Sequence, residues 1–168
     1  GRAAGPFAGQ AGATLVGGPR AVALADLDAD GKLDLVVTLE STRELAVQVA
    51  ENVAKYAKQT QLRSLVVFGG VDMKPQTAEL KAGVEVLIAT PGRLLDHIEA
   101  KNCALHQVEY VVLDEADRML DIGFLPDLQR ILSYLPKARQ TLLFSATFSP
   151  EIKKLANQMM RNPTMIEV

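Results

Sequence analysis

Residues 111–120, VVLDEADRML, run an apolar stretch straight into Asp114, Glu115 and Asp117. Three carboxylates this close repel one another, and a cation between them would relieve the repulsion. Two other chemically active groups also follow apolar runs. Thr90-Pro91-Gly92-Arg93 comes after VEVLIA, and Ser145-Ala146-Thr147 comes after QTLLF. Carboxylates suit a divalent ion that carries a phosphate. Glycines and hydroxyls at a chain turn suit a phosphate that approaches the backbone. The same acidic cluster equally suits a solvated turn or the charged first turn of a helix.

The elements that would position these groups can be read from periodicity. Ser41 to Glu44 has Ser-x-x-Glu spacing, the capping-box pattern of a helix start. Leu45, Val49, Val53 and Tyr56 then mark one helical face. Apolar runs at 64–68, 84–90, 108–114, 140–146 and 164–168 read as strands. Helices are expected at 75–81, 94–100, 116–120, 125–135 and 150–160, the last with proline in its first turn. Continuous apolar strands joined by helices predict an α/β fold with a mainly parallel sheet covered on both faces. Residues 33–38 should add one strand. In such sheets ligands bind beyond the carboxyl ends of the strands, where all three groups fall.

The bulk numbers agree with one soluble domain. The 168 residues are 48% apolar and 23% charged, with a net charge of −2. No basic field announces nucleic acid, although local donors can still hold a phosphate backbone. The single Cys103 allows no internal disulfide and no cysteine-based zinc site, and it fits a reducing compartment. No apolar run is long enough to span a membrane. No signal peptide is visible, and the start at Gly1 rather than Met suggests a fragment or processed product. Met119, Met159 and Met160 read as core filler, Cys103 as a small buried hydrophobe, and His97 and His106 as solvated or partly packed.

STRELA (41–46), GG (69–70), TPGR (90–93), DEAD (114–117) and SAT (145–147) occur in the order of the first RecA-like domain of DEAD-box RNA helicases. The chain resembles that family from about residue 39 to 168. Ser41 stands where the family has proline. VVFGGVDMKPQ, DRMLDIGFLPDLQRIL and LLFSATFSPEIKKLA resemble the bacterial RhlE-like subgroup. The resemblance implies a RecA-like fold, ATP and Mg²⁺ as cofactors, RNA as partner and a cytoplasmic setting. Asp114 would hold Mg²⁺, through water. Glu115 would orient or deprotonate the attacking water. Asp117 would link to Ser145 and Thr147 and couple the nucleotide to the RNA side. Thr42, Arg43, Gly70, Thr90, Gly92 and Arg93 would line the RNA backbone without reading its bases. Thr90 and Arg93 would serve equally well as an N-cap and a surface charge.

Three parts of that family pattern do not occur in these residues. The phosphate-binding loop G-x-x-x-x-G-K-[ST] should precede Ser41. The only Gly-Lys pair is Gly31-Lys32; Leu33 follows it, and Asp26 stands where the first glycine belongs. The adenine-reading Q motif and a second RecA-like domain do not occur either. Residues 20–37 instead resemble an FG-GAP/VCBS repeat of extracellular propellers. Asp26, Asp28, Asp30 and Asp34, with Gly31 at the turn, would suit Ca²⁺ or a metal-free hairpin. The expectation is a chimera that joins near Thr38. A Gly/Ala-rich segment and FG-GAP-like hairpin occupies 1–37, and a truncated helicase domain occupies 38–168. ATP-dependent RNA unwinding is the function by lineage, with this chain alone catalytically incomplete. The rivals are a remnant that binds RNA or protein without turnover, and a Ca²⁺-binding adhesion fragment.

Overall fold

The computed structural model describes residues 13–16 and 36–167. Seven strands form one sheet in the order β3-β4-β2-β5-β6-β1-β7, and every described pairing is parallel. The strands are β1 (Ala13–Val16), β2 (Val36–Leu39), β3 (Ser64–Val67), β4 (Val86–Ala89), β5 (Tyr110–Leu113), β6 (Gln140–Ser145) and β7 (Thr164–Glu167). Between them lie α1 (Arg43–Ala57), α2 (Met73–Ala82), α3 (Pro91–Glu99), α4 (Ala116–Ile122), α5 (Leu125–Tyr134) and α6 (Pro150–Met159). The five apolar runs all became strands, and β2 is the additional strand expected near 33–38.

Strands near the middle of the sheet are buried on both faces, which is why they read as unbroken apolar runs. All four residues of β4 are buried. Val86 and Ile88 face α1 through Ala46, Val49, Ala50 and Val53. Leu87 and Ala89 belong to the larger core with Val37, Leu39, Val111, Leu113 and side chains of α3 to α6. Each such aliphatic side chain contributes about 1.5–3 kcal/mol when fully buried. Met119, Met159 and Met160 are in that core, as expected. Cys103 is only partly buried and packs against it.

Three local expectations were displaced. Thr42, not Ser41, caps α1: its Oγ1 accepts a hydrogen bond from Leu45 N–H at 3.3 Å. Tyr56, in the last turn of α1, lies 57% exposed, and the buried residues of this helix are Ala46 and Val53. The third concerns β1. No strand was expected at 13–16, yet this segment pairs with β6 on one side and β7 on the other. The Asp26, Asp28, Asp30 and Asp34 cluster lies outside the described residues.

Candidate functional site

Because the strands are parallel, they all end on the same edge. Glu40 and Asp114 leave β2 and β5 side by side there. Glu40 N–H donates to Ala89 O at 2.9 Å, and Asp114 N–H to Leu39 O at 3.1 Å. Chain order reverses direction across this point, with β3 and β4 on one side of β2 and β5 and β6 on the other. That is the crevice position of an open α/β sheet. Glu40 has no exposed surface, and among the described residues neither carboxylate oxygen has a hydrogen-bond partner. Burial, together with the charges of Asp114 and Glu115, pushes its pKa up to about 8. Burial also raises Asp114, and the charges of Glu115 and Asp117 add to this, against a hydrogen bond from Glu115 N–H.

Glu115 has left-handed backbone, with φ 48° and ψ 50°. Such a conformation costs a non-glycine residue on the order of 1–3 kcal/mol. Its Oε2 accepts from Ser41 Oγ at 3.1 Å and from Arg118 Nη1 at 3.4 Å. Asp117 Oδ2 accepts from both the N–H and the Oγ1 of Thr147, each at 3.1 Å. The expected link from Asp117 to Thr147 is therefore present. The expected link to Ser145 is not: among the described residues the buried Ser145 Oγ has no hydrogen-bond partner. The strand β6 carries Ser145 inward, whereas Thr147 lies beyond its end.

Carboxylate oxygens at this edge are the right donor class for Mg²⁺. Among the described residues no three His, Cys, Asp or Glu side chains converge into a complete cage. An ion here would take its other ligands from water and phosphate, as Mg²⁺ commonly does.

A second group of residues surrounds the loop after β3. The Arg43 guanidinium sits over the Phe68 ring, 4.6 Å from its centroid. Gly70 has φ +80°, a backbone state that favours glycine. Arg93 Nη2 donates to Val71 O at 3.0 Å, and Arg93 Nη1 to Gln76 Oε1 at 3.1 Å. Gln76 Nε2 donates to Phe68 O at 3.1 Å. Thr90 begins α3 without a side-chain cap bond, while its N–H donates to Val67 O at 3.0 Å. The nearest atom to a Cβ built on Gly92 is Asp127 Oδ2 at 4.0 Å. The fold itself does not demand glycine there.

Residues 20–155 match the family model described as DEAD/DEAH box helicase. The chain belongs to the DEAD/DEAH box helicase family. It is 44% identical over 135 residues to DEAD-box ATP-dependent RNA helicase 20 of Arabidopsis thaliana, which covers 80% of this chain and 27% of that relative. It is 45% identical over 140 residues to ATP-dependent RNA helicase dbp2 of Emericella nidulans, 83% of this chain and 25% of the relative. The crystal structure of a DEAD box protein from the hyperthermophile Methanococcus jannaschii superposes with a TM-score of 0.77 at 38% identity. That match covers 82% of this chain and 38% of the other. The chain thus spans about a quarter of the length of these curated relatives. The family match reaches back to residue 20, into the stretch read as propeller-like, and nothing in the comparisons supports Ca²⁺.

In this DEAD-box chain the sheet edge brings together Thr42, Arg43, Gly70, Thr90, Gly92 and Arg93 on the β2, β3 and β4 side. Asp114, Glu115, Asp117, Ser145 and Thr147 lie on the β5 and β6 side. Sequence reasoning missed Glu40, Gln76 and Asn102, and it misplaced His97. His97 is wholly buried, three residues after Leu94 and one before Ile98 on the buried face of α3. That spacing was the available signal. For Glu40 the signal was VVTLE, which ends an apolar strand on a carboxylate just as VVLDE does.

Proposed function

We propose that this chain is the RNA-facing first RecA-like domain of an ATP-dependent RNA helicase, of the RhlE-like subgroup. We further propose that alone it holds RNA without hydrolysing ATP. The observation that carries the RNA half is the fastening of the Phe68–Val71 loop. Arg43 stacks on it, and Arg93 and Gln76 bond to its carbonyls. Glycines and a cation on one surface suit a phosphate chain, single-stranded or duplex, of any sequence.

On the other side Asp114 would hold Mg²⁺ through water, and the ion would neutralise phosphate charge. Glu115, fixed by Ser41 and Arg118, would orient the attacking water. The Asp117–Thr147 bonds tie α4 to the end of β6 and give the nucleotide side a rigid link across the edge. The residues present do not fit the phosphates of ATP. No G-x-x-x-x-G-K-[ST] occurs in the 168 residues, and phosphoryl transfer depends mainly on positioning and charge stabilisation. We read the setting as cytoplasmic.

The test is fluorescence anisotropy with labelled single-stranded RNA. Arg43→Ala should weaken binding roughly tenfold, equally for every sequence, as loss of a phosphate contact does. Unchanged binding, or a loss confined to one sequence, would contradict the reading.

A further inference from the structure

Beside the candidate RNA surface lies a chain of neutral polar side chains, two of them buried. Gln76 is 8% exposed and His97 is 0% exposed. We propose that Gln76 and His97 are positioning residues that lock the Phe68–Val71 loop and Arg93 into one arrangement, with Asn102 selecting the tautomer of His97. The proposal rests on the RNA reading above for its consequence, and on geometry alone for the relay itself.

The hydrogen bonds fix one another. Gln76 Nε2 faces the carbonyl of Phe68, so it must be the amide nitrogen. Gln76 Oε1 then receives Arg93 Nη1 at 3.1 Å and His97 Nε2 at 3.0 Å. His97 must therefore carry its proton on Nε2. Its Nδ1, unprotonated, faces Asn102 Nδ2 at 3.2 Å, which donates there and also to Thr77 Oγ1 at 3.1 Å. Thr77 in turn donates to Met73 O at 3.0 Å. Each of these hydrogen bonds pairs a donor with an acceptor in this one assignment. Moving the proton to Nδ1 would set it against the Asn102 amide. It would also ask Gln76 to turn its nitrogen toward His97, and then its oxygen would face the Phe68 carbonyl. Buried networks tolerate such mismatches poorly.

The relay governs how Arg93 is presented. Its side chain is only 11% exposed. One N–H of each terminal nitrogen is used on Gln76 and on Val71 O, and Nε points toward Asp96, 3.6 Å away. The remaining N–H on each terminal nitrogen keeps a fixed direction only while Gln76 Oε1 stays where it is. The same amide fastens Phe68 O, two residues before Gly70. One side chain therefore sets the relative placement of the glycine loop and the arginine. The buried histidine keeps that amide from turning.

The test combines imidazole ¹⁵N NMR with RNA affinity on the whole chain. His97 should show a protonated Nε2 and an unprotonated Nδ1 at neutral pH. The opposite tautomer, or an imidazolium, would overturn the proposal. Gln76→Leu should shift the Gly69 and Gly70 amide resonances and weaken single-stranded RNA binding about tenfold, the scale of one lost charge-assisted hydrogen bond. Gln76→Glu keeps an acceptor for Arg93 and His97 but sets a carboxylate oxygen against Phe68 O, so it should still shift the Gly69 and Gly70 resonances and should not restore wild-type affinity; wild-type affinity and unmoved resonances in Gln76→Glu would overturn the proposal. A purely structural role would lower the melting temperature of Gln76→Leu while leaving affinity and the glycine resonances of the folded protein unmoved, and that outcome overturns the proposal. If Gln76→Leu fails to fold, His97→Asn takes its place with the same readouts. If the wild-type chain binds no RNA, the functional reading fails by itself. The tautomer and the glycine shifts then still decide whether the relay exists.

Discussion

A carboxylic acid with no exposed surface and no hydrogen-bond partner is least costly when protonated. Glu40 is in that position, with its pKa pushed from 4.5 up to about 8. Between those values the folded chain binds more protons than the unfolded one, so stability falls as pH rises through the window. Urea denaturation should show a midpoint that drops from pH 5 to pH 8.5. Glu40→Gln should flatten that slope and gain on the order of a few kcal/mol at the alkaline end. A slope that survives the substitution would show that Glu40 is not its source. His97 has the opposite sign. Burial, and then the charge of Arg93, lowers its pKa from 6.5, so the unfolded chain takes up protons first on acidification. Stability should therefore be complete above about 6.5 and decline as pH falls below it. His97→Asn should remove that acid-side decline. The two substitutions separate the two limbs of one pH profile.

Elements differ in how much of themselves they wrote into the sequence. β4 and β5 were legible because burial on both faces left unbroken apolar runs. β1 was not: its four residues sit among glycines and alanines, and its hydrogen-bond partners, β6 and β7, come more than a hundred residues later. No local pattern records a pairing that distant. The start of α1 was misread by one residue because Ser41 and Thr42 are both good caps, and only the fold decides between them. Ser41 Oγ is drawn instead to Glu115, which leaves Thr42 as the cap. The carboxylate triplet and the TPGR turn were legible as sites because they break apolar runs. Gln76 and Asn102 were not, since neutral amides carry no charge signal. Thr42→Ala should therefore cost about 1 kcal/mol of stability, the worth of an N-cap. Ser41→Ala should leave α1 intact. Equal losses from the two substitutions in urea melts would return the cap to Ser41.

At the scale of the molecule, the chain presents one sheet edge with two chemistries and a net charge of only −2. Among the described residues at the candidate RNA surface, Arg43 stacks on Phe68, and Arg93 is mostly spent inward. Binding to single-stranded RNA releases counterions in proportion to the phosphates neutralised, with a slope of about −0.7 per phosphate. Two cations thus predict a slope of about −1.4 in a plot of log affinity against log salt. ATP should leave that affinity unchanged. A ligand shifts an equilibrium only through differential affinity for two states, and a site without a phosphate loop has little affinity to differ. The same reasoning removes hydrolysis: RNA should stimulate no more phosphate release from the wild-type chain than from Glu115→Gln. The decisive experiment titrates RNAs of several sequences at two salt concentrations, with and without ATP and Mg²⁺, beside a phosphate-release assay of both proteins. A steep salt slope would mean that cations outside the edge take part. Affinity that rises with ATP, or turnover lost in Glu115→Gln, would mean that residues before Val36 supply the phosphate ligands after all.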